Sequence, residues 1–84
     1  MFFVYFLKSR EFDFRYIGSS SDVQKRLNQH NNGLVQSTKH YLPFDLEGFV
    51  AVKTESLARE LEKYFKTGSG KAVLRKRILG LKTN

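Results

Sequence analysis

Residues 2–7 read Phe-Phe-Val-Tyr-Phe-Leu, an unbroken apolar stretch that ends at Lys8. Aromatic and β-branched side chains dominate it, and its length suits a strand rather than a helix. A strand with one wet face alternates apolar and polar residues, whereas a continuous run demands cover on both faces. In a chain of 84 residues that requirement predicts an α+β fold, a small sheet packed by helices.

The length allows one domain, read as residues 1–84. Such a chain buries only about 60% of its unfolded surface, so the core is thin and leans on aromatic rings. Eight Phe and four Tyr supply them. Phe2–Leu7 lacks the preceding positive region and the cleavage site of a signal peptide, and it is far too short to cross a bilayer, so no membrane partner is expected. There is no cysteine. Disulfides and thiolate metal sites are therefore excluded, and a reducing compartment such as the cytoplasm fits.

Further along, Phe12–Gly18 alternates, and polar Ser9-Arg10-Glu11 before it implies a β-hairpin. Three serines then lead into a first helix over 22–30, with Ser21 and Gln24 in capping-box spacing and Gly33 as the stop. Residues 34–45 read as loop. Leu46–Val52 is a third strand, and Thr54 caps a second helix whose apolar stripe is Leu57, Ala58, Leu61, Tyr64 and Phe65. After Gly68-Ser69-Gly70 comes a basic third helix, roughly Lys71–Leu79. The order ββαβαα predicts a mostly antiparallel three-stranded sheet packed by helices.

The net charge of +7 is unevenly placed. No acid follows Glu62, while Lys63, Lys66, Lys71, Arg75, Lys76, Arg77 and Lys82 do. Such a field favours polyanions, nucleic acid above all, and Lys66, Lys71, Arg75, Lys76 and Arg77 are the expected contacts. A solvated basic tail, or a contact with anionic lipid, is the plainer alternative on charge alone.

Three other chemistries fail on spacing. Gly68-Ser69-Gly70-Lys71 lacks the earlier glycine and the following Ser/Thr of a phosphate-binding loop, since Phe65 and Ala72 hold those places. His30 and His40 are separated by a glycine-containing loop and give only a weak zinc signal. No Gly-x-Ser-x-Gly elbow is present for a serine nucleophile.

What remains is polar. Val23, Leu27 and Leu34 mark the buried direction of the first helix, yet His30 lies within that stripe and Arg26 at its edge. A snorkelling arginine and a histidine bonded to a backbone carbonyl would account for either residue alone. The two together, beside a strand carrying Tyr16, point to a pocket.

These residues resemble the GIY-YIG nuclease family, in the branch similar to the amino-terminal domain of excinuclease C and to intron-encoded homing endonucleases. The second motif stands as Tyr16-Ile17-Gly18, and the first as Phe3-Val4-Tyr5 with its tyrosine in place. Arg26 and His30 match the family's arginine and its histidine or tyrosine one turn later. Ala58, Glu62, Phe65 and Lys66 match its pattern Ala-x-x-x-Glu-x-x-apolar-Lys. The likeness runs from about Phe2 to Ala72.

The resemblance implies an endonuclease that hydrolyses phosphodiester bonds in DNA with Mg2+ or another divalent cation such as Mn2+. Tyr5 would be the general base, Arg26 the donor meeting charge on the phosphorane, and Glu62 the ligand of a single metal. His30 would orient Tyr5 or relay its proton, and Tyr16 would support the phosphate. A tyrosine with an ordinary pKa of about 10 would need nearby positive charge to lower it. Periodicity alone does not separate Glu60 from Glu62, which flank the apolar stripe roughly 100° to either side; only the family pattern selects Glu62.

One geometric condition is sharp. Tyr5 and Tyr16 share a face only if odd residues of the first strand pair with even residues of the second, through a two- or four-residue connection or a bulge. The shared face is the expectation here.

The chain also departs from the family pattern. Phe3 replaces a glycine, Ser19 stands where some relatives have lysine, and the only asparagine after Glu62 is Asn84. The competing reading is a non-catalytic nucleic-acid-binding module on the same fold; a protein-interaction domain is a third. No element offers an obvious base-reading face, so contacts should fall on phosphate. Specificity would then rest on DNA structure or a partner protein, or be absent.

Overall fold

The computed structural model describes residues 1–81. Lys82 and Asn84, both invoked above, lie outside the described residues. The elements are β1 (Phe2–Ser9), β2 (Arg15–Ser20), α1 (Val23–Asn31), β3 (Phe44–Val52), α2 (Glu55–Phe65) and α3 (Gly68–Val73), followed by a π-helical turn, Leu74–Ile78. The fold is α+β, with a three-stranded antiparallel sheet in the order β2-β1-β3. No helix among the described residues is long and apolar enough to cross a membrane.

The continuous apolar run is the central strand, and its two faces make two half-cores. Val4 and Phe6 point to one side and pack with Ala58 and Phe65 of α2 and with Leu74. Tyr5 and Leu7 point to the other, against Phe44, Val23 and Leu27 of α1, and Tyr41 and Leu42 of the long loop. Val4, Tyr5, Phe6 and Leu7 are all buried, which is why no polar residue interrupts them.

Several boundaries differ from the sequence reading, each for a local reason. Phe12 lies in the hairpin loop, half exposed, because the turn spends residues 10–13; the second strand starts only at Arg15. Lys8 Nζ donates to the Phe12 carbonyl and Ser9 Oγ accepts from the Phe12 N–H at 3.1 Å, holding that loop. The cap of α1 is Asp22 rather than Ser21: its carboxylate accepts from the Lys25 N–H at 3.0 Å, while Ser20 Oγ accepts from the Asp22 N–H. Gly33 does stop the helix, at φ 73°, with its N–H donating to the His30 carbonyl and that of Leu34 to the Gln29 carbonyl. Leu34 itself is 74% exposed, so it does not continue the buried stripe. On α2 the stripe is narrower than expected, with Ala58 and Phe65 buried but Leu57 and Tyr64 largely exposed.

The third strand begins at Phe44 instead of Leu46, because Asn31 extends its pairing. The Asn31 amide donates to the Phe44 carbonyl at 3.1 Å and accepts from the Phe44 N–H at 2.7 Å. A bulge at Glu47 shifts the register, so that Phe6 faces Gly48 while Leu7 faces Leu46. Glu47 turns to Arg15, 2.8 Å away, spanning the central strand. The third helix starts at Gly68 instead of Lys71, capped by Thr67. It ends in wider winding, with the Leu79 N–H donating to the Leu74 carbonyl at 2.8 Å.

Candidate active site

The hairpin register meets the geometric condition. Tyr5 pairs with Gly18 and Leu7 with Tyr16, odd against even. The Ser9 N–H donates to the Phe14 carbonyl at 2.9 Å, so four residues, 10–13, lie beyond the last backbone bond of the hairpin. Tyr5 and Tyr16 thus share a face, ring centroids 6.2 Å apart. Gly18 makes room for them: a Cβ there would lie 2.5 Å from Tyr5 Oη and 2.9 Å from the Tyr16 ring.

Helix α1 covers this face and sets His30 against both tyrosines. Its ring centroid lies 5.8 Å from that of Tyr5 and 5.0 Å from that of Tyr16. Tyr5 Oη and His30 Nε2 are 2.9 Å apart, and both residues are buried. The other ring nitrogen, Nδ1, is 2.7 Å from Thr38 Oγ1. Thr38 is fully buried although it sits in the loop after α1. A lone threonine in a polar loop carries no periodic signal in the sequence.

Arg26, one turn before His30, is half-buried beside an open depression of about 370 Å³ lined also by Ser20, Ser21, Asp22, Lys25 and Gln29. Its Nη1 donates to Gln29 Oε1 at 2.9 Å. No salt bridge ties Arg26 down among the described residues. Burial, then the Arg26 charge, push the His30 pKa down to about 4, so the imidazole is neutral. Burial pushes Tyr5 up to about 12, with Arg26 pulling the other way and Tyr16 and Glu62 adding to the rise. The expected lowering of the Tyr5 pKa is therefore not found, because desolvation of the phenolate outweighs the nearby guanidinium.

Glu62 lies on α2, which packs on the Val4 and Phe6 side of the sheet. Its side chain is 24% exposed and pairs with Lys66 Nζ at 2.8 Å, and its charge acts on Tyr5. Glu60 is exposed. Of the two glutamates that periodicity leaves equivalent, Glu62 is the less exposed. Among the described residues no group of three or more His, Cys, Asp or Glu is placed to hold a metal. A single carboxylate suits only a hard cation that keeps most of its waters and takes further oxygens from a phosphate, as Mg2+ does. Glu62 is a single carboxylate of that kind, ion-paired here with Lys66.

Of the expected nucleic-acid contacts, Lys66 pairs with Glu62, Lys71 lies on α3, and Arg75, Lys76 and Arg77 lie on the π-helical turn. Lys71 and Arg75 join Arg15 and Tyr16 around a groove floored by Phe6, Ile17, Leu74 and Leu79. Lys76 and Arg77 are exposed on the π-helical turn. Phe3, in place of the motif glycine, packs edge-on against Phe49 at 5.6 Å.

A family model described as the GIY-YIG catalytic domain matches residues 1–77. The chain belongs to the GIY-YIG family. No curated protein and no solved structure matches it.

Proposed function

We infer that this chain is a divalent-metal-dependent DNA endonuclease, in the branch that resembles the amino-terminal domain of excinuclease C, acting as one domain over residues 1–84. The observation that carries the reading is the buried Tyr5–His30 hydrogen bond, with Arg26 and Glu62 both acting electrostatically on Tyr5. A core does not need three such groups around one phenol.

In this mechanism a water attacks phosphorus in line with the leaving oxygen. Tyr5 Oη accepts the proton of that water as its own proton passes to His30 Nε2. A concerted transfer suits a phenol whose pKa lies near 12, because Tyr5 never has to carry a full negative charge. The Arg26 guanidinium, open to water along the α1 depression, meets charge on a non-bridging oxygen. Tyr16 flanks the same phosphate. Glu62 would hold the cation, which supplies charge neutralisation at the leaving oxygen when bound.

Lys71, Arg75, Lys76 and Arg77 continue the positive surface around the β2 edge and suit the flanking backbone, as does Lys66 once released from Glu62. Recognition by phosphate contacts makes the enzyme dependent on DNA structure or on a partner protein for specificity, as in repair or recombination. A cytoplasmic setting suits the cysteine-free composition.

Linear, supercoiled, flapped and junction DNA incubated with Mg2+ or Mn2+, with chelator controls, tests this reading. Cutting of any of them by the wild type and not by Glu62→Gln supports it; no cutting of any substrate with either metal overturns it. One observation favours the second reading, a non-catalytic nucleic-acid-binding module: Tyr5 is only 1% exposed, so its hydroxyl lies beneath the surface that DNA would meet. Metal-independent DNA binding with no cut product would establish that role.

A further inference from the structure

The residue that decides what Tyr5 can do is in the loop after α1. His30 has one hydrogen-bond partner at each nitrogen, Tyr5 Oη at Nε2 and Thr38 Oγ1 at Nδ1. A neutral imidazole carries one proton, so two arrangements are possible. In the first, Nδ1–H donates to Thr38 and Nε2 accepts from Tyr5. In the second, Thr38 donates to Nδ1 and Nε2–H donates to Tyr5.

The surroundings favour the first. In the second arrangement the Tyr5 hydroxyl proton needs another acceptor, and the other polar group acting on Tyr5 Oη, the Arg26 guanidinium, cannot be one. Arg26, the nearest cation, has only donors. In the first arrangement the Thr38 hydroxyl is free to donate onward to the Val35 carbonyl, 3.5 Å away. Every buried group is then used in a consistent direction, from Tyr5 to His30 to Thr38 to the backbone.

We propose that Thr38 is a positioning residue that fixes His30 as its Nδ1–H tautomer, aiming the free Nε2 lone pair at Tyr5 Oη. Its link to catalysis rests on the nuclease reading above; the tautomer itself does not. The wrong tautomer would place a proton where the Tyr5 proton must arrive, closing the relay. The loop of residues 32–43 thus has a function that its irregular shape conceals: it carries the group that orients the base. The Thr38 N–H donates to the Val35 carbonyl at 3.1 Å and its own carbonyl accepts from the Tyr41 N–H at 2.9 Å, which holds the side chain in place.

Long-range ¹H–¹⁵N correlation on the labelled, DNA-free chain reads the tautomer directly. The wild type is expected to show Nδ1 protonated and Nε2 bare. Thr38→Val, which keeps the shape and removes the oxygen, should convert His30 wholly or partly to the Nε2–H form, and Thr38→Ser should restore the original. In cleavage assays the valine variant should lose roughly 10–100-fold, as removal of an outer-shell orienting partner does, with recovery in the serine variant. An Nε2–H tautomer in the wild type overturns the proposal even if Thr38→Val fails to fold, and so does an unchanged tautomer in a folded valine variant. A tautomer that shifts and is rescued as expected, in a chain that cuts no DNA, would uphold Thr38 and remove the nuclease reading alone.

Discussion

Gly18 stands directly opposite Tyr5 in the β1–β2 ladder, and the space left by its missing Cβ is filled by the Tyr5 phenol. The glycine of the second motif is therefore a packing partner of the tyrosine of the first. Any side chain at position 18 would push Tyr5 Oη away from His30 Nε2, since the ring is wedged between Gly18, Tyr16 and His30.

Gly18→Ala is accordingly expected to destabilise the fold by about 1–3 kcal/mol, the ordinary cost of overpacking a core. Cleavage should fall further than stability explains. Urea titration gives the first quantity, and turnover measured well below the unfolding midpoint gives the second. A variant that retains full turnover would show that the Tyr5–His30 contact is dispensable.

The pH dependence of stability follows from the same pair. His30 is neutral in the fold, with its pKa lowered to about 4, while the unfolded chain holds it near the ordinary 6.5. Between those values the unfolded chain binds more protons, so stability falls as pH drops from about 6.5 to about 4, by roughly 3 kcal/mol in all, and then this contribution levels off. Tyr5 has the opposite sense: its raised pKa keeps the folded chain protonated, so stability falls as pH rises from about 10 to about 12. His30→Gln should flatten the acid limb and Tyr5→Phe the alkaline one, as read by thermal melts across pH. An acid limb of unchanged slope in His30→Gln would mean that carboxylates cause it.

Arg26 pulls both values down, by its charge on His30 and by its charge and donors on Tyr5. Arg26→Ala should therefore raise the His30 pKa, visible as a shifted imidazole titration by NMR. On the proposed mechanism it also removes a preorganised donor to the phosphorane, a loss of about 100- to 1,000-fold in turnover. Because Arg26 is half-buried beside an open depression, with no ion pair among the described residues, the melting temperature should change little. A large loss of stability with unchanged turnover would reassign Arg26 to the core.

Lys71 and Arg75 share a groove with Tyr16 and lie outside both half-cores. Replacing both with alanine should lower the slope of log affinity against log salt by roughly 2, about one unit per lost phosphate contact, and leave the melting temperature in place. Fluorescence anisotropy with labelled duplex at several salt concentrations measures it. An unchanged slope would move the DNA path off the β2 edge.

How much of this is legible in the sequence depends on periodicity. Phe2–Leu7 declares a doubly covered strand because burial on both faces permits no polar residue, and Thr54 and Gly33 mark helix ends by local backbone chemistry. Arg26 and His30 are conspicuous because they break an apolar stripe. Leu34 misleads because it follows the stop at Gly33, where helical spacing no longer applies. Phe12 misleads because alternation continues through a turn that ends pairing. Thr38 leaves no trace, since its importance lies in a tertiary contact to a residue 8 positions back. The Tyr5 pKa is likewise invisible, because the balance between burial and the Arg26 charge is set only when the sheet is covered.

Gly68-Ser69-Gly70-Lys71 has a structural explanation that a pair of substitutions can test. Thr67 bridges the two helices: its hydroxyl donates to the Tyr64 carbonyl at 2.6 Å and accepts from the Gly70 N–H at 3.0 Å. That bridge brings α3 so close to the end of α2 that a Cβ on Gly70 would run into the Tyr64 carbonyl and lie 2.9 Å from the Phe65 Cα. Backbone cannot give way there without unseating the last turns of α2, which carry Glu62 and Phe65. Around Gly68 a Cβ would meet nothing within 4 Å. Gly70→Ala should therefore cost more than about 2 kcal/mol, as a severe overpacking does, whereas Gly68→Ala should be neutral or stabilise by up to about 1 kcal/mol through helix propensity. Urea unfolding of the two variants checks the contrast. Equal effects would mean that the glycines act through chain flexibility and not through the contact between α3 and α2.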